Sequence, residues 1–331
     1  MTIARTLRRA LLLGSALCGL GALGLVGQTA TAQDYPSKPI RFIVPYSASG
    51  GGPDLLVRAL ADQLRTLSGQ PVIVDNRAGA AGLLGTALAA KAPADGYNVL
   101  VGDSGPLSIA PGLQKDLAFN PDKDFIPVTN GMTAPLFLVV NAALPANNVR
   151  ELIAHLKAKP DLPYGSTGIG SVHHLLMERF LSATGTKMTH IPYTSQAQSL
   201  PAILSGELGV LVIAYPNVRQ HIAAGKLKAL AVGTRQRTPF APNVPTIAES
   251  GVPDFEVGID VGFLVPAGTA EAIVQKLNGW IVEALKMPEV NDKLVAAGLM
   301  PVPGTAAAYA AKLRNDRVKF KAIMDDIGLK P

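Results

Sequence analysis

The sequence predicts an α/β protein of two lobes, each a mostly parallel sheet flanked by helices. Short runs rich in β-branched residues alternate with segments in which apolar residues recur at helical spacing, which is typical of parallel strands joined by helices. This alternation occurs in two successive stretches of the chain, so we expect two such units. The last helices have no sheet of their own, which predicts that they pack back onto the first lobe.

The first lobe is predicted from a strand that starts at residue 40. Its strands and helices are expected at residues 40–46, 55–67, 72–76, 83–91 and 98–102. The first of these segments is apolar and β-branched, as in a buried strand. The second carries Leu56, Leu60 and Leu64 at helical spacing, which predicts one buried helix face.

The second lobe continues the same pattern. Its segments are expected at residues 136–141, 149–157, 163–166, 172–184, 189–193, 200–204, 210–215 and 228–233. A short strand at 262–265 and a helix at 270–285 then return the chain to the first lobe. We therefore assign residues 33–135 and 262–331 to lobe 1 and residues 136–261 to lobe 2. The two crossovers, near residues 136 and 260, are expected to act as a hinge.

The first 32 residues have the three parts of a secretory signal peptide. Three arginines precede an apolar run at residues 11–26, and the small residues Ala30-Thr31-Ala32 follow it. We therefore expect residues 1–32 to be cleaved on export. The single cysteine, Cys18, lies in this segment, so hydrophobic cores and not disulfides must stabilise the exported protein.

Size and charge narrow the possible partners. Removal of the signal peptide takes away three arginines and no acid, which lowers the formal net charge from +6 to +3. So weak a charge does not indicate a nucleic-acid partner. The remaining chain is long enough for two domains of about 100 to 200 residues each.

The loop after the first strand is the first candidate site. The segment RFIVPYSASGGGPDLLVR at residues 41–58 runs from an apolar strand through small residues into a helix. Glycines allow a bound group to approach the main chain, and the N–H groups and dipole of the helix start favour an anion. A purely structural turn would have a similar sequence. Dinucleotide and P-loop fingerprints are absent, and Asp54 could cap the helix or contact a ligand.

Two further loops repeat this arrangement. Residues 164–174, YGSTGIGSVHH, also run from a strand through a small polar loop into a helix, and supply hydroxyls at Ser166, Thr167 and Ser171. A shorter loop with Asp103 and Ser104 follows another strand of the first lobe. Because the carboxyl ends of the strands face one cleft in such folds, a ligand with two carboxylates could be bound from both sides.

Several separated stretches carry a resemblance to a known family. They read YPSKPIRFIVPY, GGPDLLVRALADQL, VIVDNRAGAAGLLGT, APADGYNVLVG, YGSTGIGSVHHL and FLVPAGTAEAIVQKLN. In this order they resemble the periplasmic substrate-binding proteins of tripartite tricarboxylate transporters, often called Bug proteins. The resemblance implies a periplasmic-binding-protein (Venus flytrap) fold without catalytic activity, and no cofactor is implied; no metal is expected either, on the geometry of the two adjacent histidines His173 and His174. It also implies a periplasmic monomer that delivers a small organic carboxylate to membrane transporter subunits, or to a sensor.

The resemblance also implies which residues bind the ligand. The family's loops fall on residues 46–52, 103–104 and 166–172, with His174 matching its usual histidine. The residues so assigned are Tyr46, Ser47, Ala48, Ser49, Gly50, Asp54, Ser104, Ser166, Thr167, Gly168, Ile169, Ser171, Val172 and His174. The first loop is one residue longer than the family pattern, which puts its register in doubt.

Two departures from the family pattern bear on the ligand. Relatives often have an aspartate in the strand at 210–216, where this chain has Ile213 and Ala214. Without that acid there is no carboxylate for a ligand's ammonium group. We therefore expect an acid without an amine, such as a dicarboxylate or an aromatic carboxylate, with Tyr46, Tyr193 and Tyr215 as apolar walls.

Three alternatives stay open at this stage. A secreted α/β hydrolase would need a nucleophile elbow, but the chain has no G-x-S-x-G, and in Gly168-Ile-Gly-Ser171 the serine follows the glycines. A module that presents its ligand to a membrane sensor would differ only in its partner. Neighbouring His173 and His174 could suggest a metal site, but adjacent helical residues point about 100° apart.

Overall fold

The computed structural model of this protein describes residues 35–48 and 52–330. The predicted signal peptide, residues 1–32, lies outside the described residues, as do Ser49 and Gly50 of the first loop. The described strands are β1 (Ile40–Val44), β2 (Val72–Asn76), β3 (Asn98–Asp103), β4 (Phe125–Asn141), β5 (Pro163–Ser166), β6 (Thr189–Pro192), β7 (Val210–Ala214), β8 (Leu227–Val232), β9 (Gly258–Pro266) and β10 (Met300–Pro301).

Helices connect most of these strands. They are α1 (Gly52–Ser68), α2 (Leu83–Ala90), α3 (Ala110–Leu113), α4 (Val149–Ala158), α5 (Val172–Thr184), α6 (Gln196–Ser205), α7 (Tyr215–Ala223), α8 (Glu271–Lys286), α9 (Pro288–Ala296) and α10 (Ala306–Asp326). A 3₁₀ turn at Ala80–Gly82 precedes α2, and a π-helical turn at Gly105–Ile109 precedes α3. In the part of the chain that is described, no helix is both long and apolar enough to cross a membrane.

The strands pair in one curled sheet, and the predicted α/β class is confirmed. The order is β2-β1-β3-β9-β4-β7-β5-β6, with β8 and β10 also paired to β4. The outer sets β2-β1-β3 and β6-β5-β7 are parallel, as the alternation of strands and helices predicts. Strands β9 and β4 join these sets through antiparallel pairs, and β8 and β10 also pair antiparallel with β4, a feature that the alternation does not reveal.

Strand β4 joins the two parallel sets. It pairs with β9 as far as Pro135 and with β7 from Leu136 onward, so the predicted crossover near residue 136 falls inside one strand where the partner changes. The sequence predicts only its second half as a strand, because Pro127, Gly131 and Pro135 are unusual in strand interiors. Register shifts beside Pro127 and Gly131 accommodate them. The division into two lobes and the hinge stay predictions.

The last helix contacts two separate cores. Near its start, Tyr309 and Leu313 of α10 pack with Leu264 in the core beside β1 and β3. Further along, Phe320 and Met324 belong to the core beneath β5 and α5. The first half of α10 thus packs on elements assigned to lobe 1 and its second half on elements assigned to lobe 2, and the assignment of residues 262–331 stays a prediction.

Gly262 sets the distance between β9 and α10. A Cβ atom at this position would lie 2.5 Å from Tyr309 Cζ and 2.6 Å from the main-chain oxygen of Thr129. Because the main chain cannot move aside as a flexible side chain can, we expect Gly262→Ala to lower the free energy of unfolding by about 1 to 3 kcal/mol. Urea denaturation of the purified protein measures it.

Gly279→Ala is the matched control for this substitution. Gly279 lies on the exposed side of α8, and an added Cβ would meet no atom within 4 Å. Alanine is the better helix former, so this variant should gain up to about 1 kcal/mol. Equal stability changes in the two variants would contradict the close-packing argument for Gly262.

Candidate functional site

A cavity of about 840 Å³ lies where the carboxyl ends of the parallel strands converge. Loops after β1, β3, β5 and β7 all contribute to its wall, which is the position expected for a ligand in a sheet of this kind. Residues of β4 and β9, among them Met132 and Val261, complete it. The cavity is therefore lined from both parallel sets of the sheet.

The starts of three helices face this cavity. Gly52 and Pro53 of α1, Val172 of α5 and Pro216 of α7 all line it, whereas none of its described lining residues is lysine or arginine. The first N–H groups of a helix have no partner within the helix and carry a partial positive charge. The wall thus favours an anion without a basic side chain.

The start of α5 offers unpaired donors. Ser171 is its N-cap, and its hydroxyl accepts the N–H of His174 at 3.2 Å. The preceding N–H groups, those of Val172 and His173, find no acceptor among the described residues. They are available to a ligand oxygen, as at the anion-binding helix starts of other proteins.

The loop before α5 is held from beneath by polar side chains. Ser166 Oγ accepts the N–H of Gly168 at 3.1 Å and lies 2.7 Å from Nε2 of His190. His174 Nδ1 accepts the N–H of Gly170 at 3.2 Å, and its ring stacks on His190 at 4.2 Å between centroids. Ser166 and His174 therefore shape the loop and do not line the cavity.

Glycine is required at the tip of this loop. Gly170 has a φ of 76°, a conformation that other residues rarely adopt. A Cβ there would also lie 2.5 Å from Cδ1 of Leu113 in α3. The loop that follows β5 thus lies directly against a helix that follows β3.

The first loop is fixed by Asp54 and Asn76. The carboxylate of Asp54 accepts a hydrogen bond from Asn76 Nδ2 and pairs with Arg58 Nε, both at 2.9 Å. The same amide of Asn76 donates to the main-chain oxygen of Tyr46 at 3.0 Å. Asp54 is thus buried and connects the two ends of the loop, and it does not line the cavity.

Asp103 is the acid of the cavity wall. It is buried, and it accepts hydrogen bonds from the Tyr46 hydroxyl and, at 3.0 Å, from the N–H of Gly105. Burial raises the pKa of Asp103 to about 6, against the lowering effect of these two hydrogen bonds. An anionic ligand would therefore meet a carboxyl group that is half protonated near pH 6 and mostly ionised at pH 7.5.

The structure brings together only part of the predicted set. Of the predicted residues, the cavity is lined by Tyr46, Ser47, Thr167, Ile169, Ser171 and Val172. The others that are described lie outside its wall: Ala48, Asp54, Ser104, Ser166, Gly168, His174, Tyr193 and Tyr215. Which of them contact a ligand stays a prediction.

Three of the outlying residues have structural roles that explain their positions. The Ser104 hydroxyl accepts the N–H of Asp260 at 3.0 Å and so connects β3 to β9. Tyr215 packs on Phe137 at 4.9 Å between ring centroids. Tyr193 packs against the core beside β7. The proposal that Tyr193 and Tyr215 form apolar walls is therefore not supported by the geometry; Tyr46 does line the cavity.

Residues absent from the predicted set also line the cavity, above all His173, Gln196 and Asn217. The family resemblance points to His174, but the imidazole in the wall is that of His173. Burial lowers the pKa of His173 to about 4, so the ring is neutral at pH 7. The two adjacent histidines in the sequence could have indicated His173 as a wall residue, because neighbouring helical side chains point about 100° apart and cannot both lie beneath the loop.

In the described part of the chain, the two histidines have side-chain partners other than a cluster of metal ligands. Among the described residues, no group of three or more His, Cys, Asp or Glu side chains is arranged to hold a metal ion. His173 instead bonds to Thr167 and Gln196.

Comparison with known proteins gives one consistent result. The sequence profile of the tripartite tricarboxylate transporter family receptor matches residues 56–329. Protein BugT of Bordetella pertussis is 35% identical over 302 residues, which cover 91% of this chain and 92% of that protein.

Solved structures of similar proteins include two with bound acids. Rpa4515 of R. palustris, solved with adipate, is 31% identical with a TM-score of 0.76, and the match covers 90% of this chain and 100% of that one. MatC (Rpa3494) from Rhodopseudomonas palustris, solved with malate, is 28% identical with a TM-score of 0.70, covering 87% and 99%.

The raised pKa of Asp103 predicts a pH-dependent effect of its removal. A folded-state pKa of about 6, above the ordinary 3.8, means that Asp103 favours folding below pH 3.8 and that this stability is lost as the pH rises through 6. Asp103→Asn should therefore stabilise the protein more at pH 7.5 than at pH 4, by about 1 to 3 kcal/mol.

Urea denaturation at both pH values measures this difference. Asp62→Asn, at an exposed position of α1, serves as the control and should change stability little at either pH. A stability change for Asp103→Asn that is the same at both pH values would contradict the argument.

Proposed function

This chain belongs to the tripartite tricarboxylate transporter receptor family, and we propose that it captures a small organic carboxylate in the cavity between the two parallel sets of strands. The observation that carries the proposal is the composition of the wall. Helix starts, hydroxyls and main-chain N–H groups face the cavity, and none of its described lining residues is lysine or arginine. These groups bind an anion by hydrogen bonds of fixed direction.

The first carboxylate group is proposed to bind at the start of α5. The N–H groups of Val172 and His173 and the hydroxyl of Thr167 supply donors at one end of the cavity. A hydrogen bond to a charged group contributes about 1.5 to 3 kcal/mol, so two or three are enough for a selective site.

The rest of the ligand is proposed to be a carbon skeleton with a second acid group. The wall between the two loops is largely apolar, with Leu55, Ile109 and Val261 among its residues. The starts of α1 and α7 lie at the same cavity and can receive a second carboxylate. Dicarboxylates meet both demands, and the adipate and malate bound by the two similar proteins are of this class.

Asp103 affects whether the cavity can accept a ligand with an ammonium group. Strand β7 contributes no acid at Ile213 and Ala214, but Asp103 places a carboxyl group in the wall. The hydrogen bonds that Asp103 accepts come from two groups of the protein itself, the Tyr46 hydroxyl and the N–H of Gly105. We propose that the ligand has no amine and that Asp103 limits its affinity by like-charge repulsion above pH 6.

Location and partner follow from the family. We propose that the protein works in the periplasm, after removal of residues 1–32, and delivers its ligand to membrane subunits of the transporter. A sensor as partner would require the same cavity. Because relatives act as binding receptors, no catalytic role is proposed for Ser171, whose hydroxyl serves as a helix cap.

Calorimetric titration at pH 7.5 tests the ligand class. We expect succinate, malate, adipate or benzoate to bind more tightly than aspartate or glutamate. Asp103→Asn should tighten the binding of these acids several-fold, because it removes a like charge from the wall. Tightest binding of an amino acid, with loss of that binding in Asp103→Asn, would show instead that Asp103 receives an ammonium group.

A charge placed at the cavity wall tests the location of the site. Ile169 lines the cavity and is 67% exposed, so Ile169→Glu should leave stability unchanged. A like charge within about 8 Å costs on the order of 1 kcal/mol, which should weaken the binding of the acid by about fivefold or more in low salt.

Val318→Glu provides the matched control. Val318 lies on α10, is 72% exposed and does not line the cavity, so this substitution adds the same charge elsewhere. Titration of both variants should show weaker binding for Ile169→Glu alone. Equal affinities in the two variants would place the acid outside this cavity.

A further inference from the structure

We propose that the Thr167 hydroxyl is held as a hydrogen-bond donor toward the ligand, and that Gln196 and His173 are positioning residues that impose this direction. The inference rests on the proposed function for the identity of the acceptor, but the hydrogen bonds that support it belong to the protein alone. All three side chains line the cavity. A hydroxyl held in this direction favours a ligand atom that accepts a hydrogen bond, such as a carboxylate oxygen, over an atom that can only donate one.

The direction is set by a main-chain group that can only donate. The N–H of Ala214, at the end of β7, lies 3.3 Å from Gln196 Oε1, and Nδ2 of Asn217 contacts the same oxygen at 2.5 Å. Because an N–H cannot accept, the amide oxygen of Gln196 must face Ala214. Its NH₂ group therefore faces the other way.

That NH₂ group fixes the tautomer of His173. Gln196 Nε2 lies 2.9 Å from Nε2 of His173, and since the amide nitrogen only donates, the ring nitrogen must accept. A neutral imidazole that accepts at Nε2 carries its proton on Nδ1. His173 is buried, which keeps the ring in its neutral form.

The proton on Nδ1 in turn orients Thr167. His173 Nδ1 lies 2.8 Å from Thr167 Oγ1, so the hydroxyl oxygen accepts this hydrogen bond and its own hydrogen must point elsewhere. The part of the chain that is described offers no other acceptor to this hydroxyl. Thr167 lies half-buried in the wall, beside the unpaired N–H groups of Val172 and His173. Its hydrogen is thus available to a ligand at the same end of the cavity.

Gln196→Glu reverses this chain of hydrogen bonds with little change in shape. One carboxylate oxygen can still accept from Ala214, but the other can only accept, and so requires a proton on Nε2 of His173. When the ring is neutral, which the Nδ1 signal in the measurement below establishes, Nδ1 then accepts from Thr167 and the hydroxyl turns its hydrogen away from the cavity; a ring protonated on both nitrogens would keep Nδ1 as a donor. Gln198→Glu, in the same helix but exposed, is the matched control for the added charge.

The first measurement needs no ligand. Nitrogen-15 NMR at pH 7.5, with the His173 signal assigned from a His173→Asn variant, should show the Nδ1–H tautomer in the unsubstituted protein and in Gln198→Glu. It should show a proton on Nε2 in Gln196→Glu. An Nε2–H tautomer in the unsubstituted protein would overturn the inference while leaving the proposed function intact.

The second measurement is a double-mutant cycle in the binding of adipate, succinate, malate and benzoate. Thr167→Val should weaken binding of the acid that binds best by about tenfold or more, whereas Thr167→Ser should retain it. In the Gln196→Glu background, Thr167→Val should have no further effect. Additive effects of Thr167→Val and Gln196→Glu on the binding free energy would overturn the inference. If none of these acids binds, the proposed function is rejected. The tautomer of His173 would then still decide the direction of the hydrogen bonds.

Discussion

The N–H groups of Val172 and His173 at the start of α5, which find no acceptor among the described residues, are the constraint on which the rest of this site depends. Parallel strands end at a common edge of the sheet, so the helices that follow them begin there with donors that no intrahelical acceptor can satisfy. The fold thus supplies the positive partial charge that a basic side chain supplies elsewhere. In the proposed function, a carboxylate completes hydrogen bonding that folding leaves incomplete.

The polar side chains around these helix starts carry no net positive charge. They contribute to binding by fixing the direction in which hydrogen-bond donors point into the cavity. His173 is neutral at pH 7 because its pKa is lowered by burial, while the raised pKa of Asp103 keeps that carboxyl partly protonated near pH 6. Neutral groups with fixed tautomers and rotamers specify where a ligand must accept. Selectivity in such a cavity comes from the direction of each donor together with an apolar wall of fixed shape.

The sequence predicts the α/β class, the two strand-to-helix loops and most element positions, because these depend on local periodicity and small-residue turns. It does not predict the first half of β4, where Pro127 and Gly131 are accommodated by register shifts. It also misses the link from Thr167 through His173 to Gln196, whose members lie on different elements and meet only in the folded chain. Ser104 and Asp54, which the family resemblance assigns to the ligand site, lie outside the cavity wall and hold loops and strands together, so their contact with a ligand stays a prediction.

The central claim is that a carboxylate is held by main-chain and hydroxyl donors at the start of α5. A crystal structure of the protein grown with the acid that binds most tightly tests it most directly. The account predicts carboxylate oxygens within hydrogen-bond distance of the N–H groups of Val172 and His173 and of Thr167 Oγ1. A carboxylate paired with a lysine or arginine, or seated outside the cavity, would contradict it.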